Sequence, residues 1–125
     1  MNISRKIVLT AAVGFLANFA IAQTLQIGIN NIDSHKYAKA KTNFEQMLAK
    51  DASADNYFYN GNVYLLQFEP NFEKAKEFFD KGMAADKKSY LNRIGLASIK
   101  LGKGDKSGIS DIQEIVKDSR EKDSQ

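Results

Sequence analysis

A pattern that returns about every 34 residues limits this chain more than any other feature of it. Tyr37-x-x-Ala40-x-x-x-Phe44, followed by Met47, Leu48 and Asp51, recurs as Phe72-x-x-Ala75-x-x-x-Phe79, followed by Gly82, Met83 and Asp86, and each matched pair is 35 residues apart. A weaker third copy, Gly108, Ile112, Ile115 and Val116, is displaced by 33 residues from Ala75, Phe79, Gly82 and Met83. Interleaved with these are Ile27-Gly28, Asn60-Gly61 and Ile94-Gly95, whose glycines are spaced by 33 and 34 residues. A small residue and an aromatic four positions apart lie on one face of a helix. From Thr24 onward no strand alternation occurs; amphipathic stretches alternate with short polar or glycine-containing turns. The chain therefore reads as all-α, built of helix–turn–helix units. Where two helices of a unit cross closely, one needs a glycine and its partner a small alanine. The aromatic then fills the wedge where they diverge.

A two-helix repeat of this length resembles the tetratricopeptide repeat (TPR) family, with its pattern W-x2-L-G-x2-Y…A-x3-F…P. Ile27 and Ile94 stand at the leucine place, and Gly28, Gly61 and Gly95 at the glycine place. Tyr64 matches the tyrosine, Ala40 and Ala75 the alanine, and Phe44 and Phe79 the phenylalanine. The resemblance implies a right-handed superhelical stack of about three units, over residues 23–53, 54–87 and, more weakly, 88–118, with a polar tail at 119–125. There are departures. Ala52 and Lys87 replace the closing proline, Asn31 and Ser98 stand where tyrosine is expected, and the second unit carries an extra residue or two within Gln67–Asn71, a stretch that includes Pro70. A proline is harmless in a turn that precedes a helix.

Ahead of the repeats, residues 1–22 read as an address. Arg5 and Lys6 give a positive start, an uncharged apolar stretch runs from Ile7 to Ala22, and Ala20-Ile21-Ala22 supplies a small-x-small cleavage pattern. The stretch is shorter than the roughly 20 residues that span a bilayer. Cleavage after Ala22 is expected, giving an exported chain, periplasmic or secreted, that begins at Gln23 with no stable membrane insertion.

Composition removes several functions. The chain has 18 basic and 15 acidic residues; without Arg5 and Lys6 the balance is 16 to 15, too even for nucleic-acid binding, which needs clustered cations. There is no cysteine, hence no disulfide, thiol nucleophile or Cys-ligated zinc. The single histidine, His35, sits in the turn Ser34-His35-Lys36 with no metal or catalytic partner at useful spacing. Gly102-Lys103-Gly104-Asp105-Lys106-Ser107-Gly108 superficially suggests a phosphate loop, but it follows a helix rather than a strand. It reads instead as a turn, with Gly102 closing one helix and Asp105 or Ser107 capping the next. No catalytic, metal or cofactor residues are assigned, and the chain is read as a non-enzyme.

The TPR resemblance implies that the first helix of each unit lines a groove. Carried over residue by residue, this nominates Phe58, Asn62, Leu65 and Leu66 in the second unit and Asn92, Leu96, Ile99 and Lys100 in the third, beside Leu25, Ile29 and Ile32 in the first. Asn62 and Asn92 are the favoured peptide ligands, because an amide can bond a peptide backbone in any register. Such a wall suits a hydrophobic helix or extended segment. The implied function is an exported scaffold for protein–protein interaction in a bacterial envelope assembly, whose partner is another protein, a peptide or a second copy. The alternatives are a self-associating structural unit, or the front of a longer TPR protein whose activity lies downstream. Repeat arrays usually end in a polar capping helix, and none follows the third unit here.

Overall fold

The computed structural model describes residue 20 and residues 22–124; the expected signal segment therefore lies almost wholly outside the described residues. Those residues form six helices and no strand, so the all-α expectation holds. We label them α1 (22–33), α2 (Tyr37–Lys50), α3 (Ala54–Leu66), α4 (Phe72–Ala85), α5 (Tyr90–Gly102) and α6 (Ser107–Asp123). The residues expected as a polar tail continue α6 as helix through Asp123, mostly exposed.

Sequence chemistry sets the helix ends. Ser53, Asn71 and Ser89 cap α3, α4 and α5, each accepting a hydrogen bond from the backbone N–H three residues on. Between α1 and α2 the chain reverses at His35, whose φ is +58°, while Lys36 N–H donates to Asn31 O at 2.7 Å. A left-handed conformation costs an L-residue about 1–2 kcal/mol. Part of that is recovered on replacing it by glycine, whose unfolded chain is freer. His35→Gly should therefore raise stability, by up to about 1 kcal/mol, as read from urea denaturation. Between α5 and α6 the left-handed residue is Gly104, φ +84°, and not Gly102, which was expected to close the helix. Gly102 is instead the last residue of α5, and a Cβ there would fall 2.6 Å from the Phe72 ring.

Two apolar clusters form the core. Ala40, Phe44 and Met47 of α2 meet Val63 of α3; Ala75 and Phe79 of α4 meet Ile99 of α5. Tyr64 touches both clusters, stacks on Phe78 at 5.8 Å and lies under the Lys41 ammonium. All four repeat residues Ala40, Phe44, Ala75 and Phe79 are buried.

The glycines show how consecutive helices interlock. A Cβ on Gly28 would strike the Phe44 ring, and one on Gly61 would fall 2.6 Å from the Phe79 ring and 3.0 Å from Ala75 O. A Cβ on Gly95 would meet the same Phe79 ring at 2.6 Å. The aromatic thus occupies the notch left by glycine itself, rather than a wedge beside it. Phe79 lies between the glycines of α3 and α5, which joins the second helix pair to the third. The third pair has no equivalent ring: Ile112 is only half-buried, and Gly108 instead lies against Ala97 O and Leu101 of α5.

Candidate functional site

A cavity of about 550 Å³ lies between α4 and α6, across α5. Its floor is aliphatic: Leu96 of α5 is partly exposed, over Ala97 and Ile99 of α5 and Ile115 of α6, which are buried. Charge on its rim is divided by element. Arg93 and Lys100 come from α5, Lys103 and Asp105 from the turn after it, Asp111 and Glu114 from α6, and the pair Lys76 and Asp80 from α4. The periodicity of α5 accounts for its share, since positions 93, 96 and 100 fall on one helical face.

Ion pairs tie the walls together. Lys100 Nζ lies 2.6 Å from Asp111 Oδ2, and Arg93 lies 2.9 Å from Asp118, whose carbonyl also accepts from Tyr90 Oη–H. The Lys100 ammonium is held above its ordinary pKa, first by the hydrogen bond to Asp111 and then by the charge of the same carboxylate. On α4, Lys76 pairs with Asp80 at 2.6 Å. These pairs are solvated, so they contribute little to stability, and they can exchange for a ligand's charges at small cost. At the turn into α6, Asp105 accepts the Ser107 N–H, which holds its carboxyl below the usual range. That carboxylate occupies a donor a bound phosphate would need, so the glycine-rich stretch is a helix-entry turn.

The structure separates the residues nominated for the groove. Leu96 and Lys100 line the cavity. Phe58 and Leu65 pack against the second core cluster, Phe58 stacking on Phe79 at 5.8 Å. Leu25 and Ile32 pack against the first cluster. Asn62 is half-buried, and Leu66 is exposed outside the cavity. Asn92 requires a correction. It is 0% exposed and offers nothing to a ligand. Its amide donates to Ala54 O and Ser89 Oγ, both at 2.9 Å, and its side chain fills the notch at Gly82. Its Oδ1 has no hydrogen-bond partner.

A signal for that role was present in the sequence. Ser53-x-x-Asn56 and Ser89-x-x-Asn92 are the same capping motif 36 residues apart. In both, serine caps the helix and the asparagine amide turns back to bond a backbone carbonyl, of Asp51 in the first case. Asn60 does similar work deeper in the stack, donating to Phe44 O at 2.8 Å. These amides satisfy carbonyls at the junctions between helix pairs.

Among the described residues no group of three or more His, Asp or Glu side chains is placed to hold a metal ion, and no helix is long and apolar enough to cross a membrane. No family model matches the chain, and no curated protein matches its sequence.

Proposed function

We propose that this chain is an exported, TPR-like scaffold that binds a segment of another protein in a bacterial envelope assembly, and that it is a binding module rather than an enzyme. The cavity across α5 carries this reading. A cleft with Leu96 at its base and a rim of mixed cations and carboxylates suits an amphipathic segment, whose apolar side chains reach Leu96 while its charges exchange with the rim pairs. The TPR resemblance rests on the repeat residues and agrees with the Gly28–Phe44 and Gly61–Phe79 contacts. Export rests on the Arg5-Lys6, apolar and Ala20-Ile21-Ala22 sequence. Ala22 and Gln23 are exposed, and Leu25 is the first described residue to reach the core, so cleavage after Ala22 would strip no described core contact.

A photo-crosslinking residue placed at Lys100, with Lys87 in the turn between α4 and α5 as control, tests both halves of the reading in a bacterial host. The expected result is an exported product beginning at Gln23, with adducts to a discrete second protein from position 100 and not from 87. Retention in the cytoplasm removes the export claim. Equal adducts from both positions, or none, remove the cavity as the binding site.

A further inference from the structure

Asn60-Gly61 is the one Asn-Gly pair in the chain; a larger side chain follows every other asparagine. Such a pair is chemically unstable wherever the backbone is free. Glycine has no side chain to shield its nitrogen. Once that nitrogen loses its proton to solvent base, it attacks Cγ of the asparagine before it. The new C–N bond closes a five-membered succinimide, the Cγ–Nδ2 bond breaks, and ammonia leaves. Water then opens the ring at one carbonyl or the other, leaving aspartate or isoaspartate at position 60. The sum is an amide plus water giving a carboxylate and ammonium.

In the folded chain both reacting groups are held. Gly61 lies inside α3, where its N–H belongs to the carbonyl four residues back and helical torsions keep the nitrogen from Cγ. Asn60 is 2% exposed, and its Nδ2 donates to Phe44 O of α2 and to Asn56 O, both at 2.8 Å. The fold needs each of them. A Cβ on Gly61 would fall 2.6 Å from the Phe79 ring, so the reactive glycine is also the notch that seats that ring. The amide of Asn60 is the donor that ties α3 to the carbonyl of Phe44.

A carboxylate cannot take the amide's place. It has no N–H, so its oxygens would face the carbonyl oxygens of Phe44 and Asn56 out of reach of water. Protonation returns one donor and leaves the other carbonyl unpaired. Isoaspartate does more damage. It routes the main chain through Cγ and adds a carbon to the backbone within α3, which puts the later N–H groups out of step with the ladder.

We propose that Asn60 is a modification site that turns prolonged unfolding into a one-way step. While α3 is formed, the amide is stable. A chain that stays open loses it, cannot rebuild the junction between α2 and α3, and remains unfolded and open to proteolysis. The inference does not depend on what the cavity binds.

The test uses the whole purified chain, one sample held folded in mildly alkaline buffer and one held unfolded in the same buffer with guanidinium chloride. Peptide mapping at intervals reads the mass gain and separates aspartate from isoaspartate. Dilution of the same aliquots reads the recovered helix by circular dichroism. Position 60 should be modified at least about a thousandfold more slowly in the folded sample. The share that refolds should fall in step with the unmodified share. Phe79→Ala should speed the reaction under folding conditions more than about a hundredfold, because reaction requires opening. Asn60→Asp should not recover helix, whereas Asn62→Asp, at a half-buried position of the same helix, should. Equal rates in the two samples, refolding of the modified chain, or faster loss at another asparagine overturns the proposal. So does wild-type folding of Asn60→Asp, or a failure of Asn62→Asp to fold, which would mean that any new carboxylate in α3 has the same effect.

Discussion

Phe79→Ala should destabilise the protein by about 3–5 kcal/mol, most of what a domain of this size possesses. The ring is 0% exposed and sits between Gly61 of α3 and Gly95 of α5, with Phe58 stacked on it. Glycine has no side chain to move into the space, so neither helix can refill it without shifting its backbone. The cost therefore belongs at the upper part of the range for large-to-small substitutions, where the cavity persists. In thermal unfolding this is a fall of about 15 °C or more. Two neighbouring phenylalanines set the scale. Phe78, half-buried on the next position of α4 and stacked on Tyr64, should cost about 1 kcal/mol on truncation. Phe68→Ala, at an exposed position of the loop between α3 and α4, should fall within about 0.5 kcal/mol of the wild type.

Gly95→Ala should be the second large effect, and its sign is the informative part. In an ordinary helix interior this change gains about 0.5–1 kcal/mol. Here the new Cβ would lie 2.6–2.7 Å from three atoms of the Phe79 ring. A flexible side chain would swing away, but this ring is enclosed on both faces. Overpacking of this kind costs about 1–3 kcal/mol, which exceeds the propensity gain. A net loss of about 1–2 kcal/mol in urea denaturation is expected.

Close packing is the reason the frame was legible in the sequence. Ala40, Phe44, Ala75 and Phe79 repeat because each helix crossing admits few solutions, and all four are buried where the pattern put them. The insertion at Gln67–Asn71 was legible for a different reason: proline and polar residues interrupt a helical period, and the structure turns there. The site was less visible. Asn92 occupies a groove position by analogy, but the serine three residues before it caps α5, and its amide is drawn to the junction carbonyl of Ala54. The Ser-x-x-Asn echo at Ser53 and Asn56 carries that information. The cavity depends on how α6 lies against α5, which no periodicity specifies. Where the first two pairs have a phenylalanine in a glycine notch, the third has Ile112 and a contact from Gly108 to Ala97 O, and the rim forms between α4 and α6. Leu96 and Lys100 line the cavity because they share one face of α5.

A double-mutant cycle between positions 79 and 95 tests most directly whether a ring seated in a glycine notch joins one helix pair to the next. Phe79→Leu keeps the site apolar and the chain folded, while removing the ring atoms nearest Gly95. If the lock is as described, Gly95→Ala costs about 1–2 kcal/mol in the wild type and becomes neutral or stabilising beside Leu at position 79, a coupling of at least about 1 kcal/mol. The same cost in both backgrounds would mean that the two residues do not touch, and the stacking of the second pair on the third would have to be explained another way.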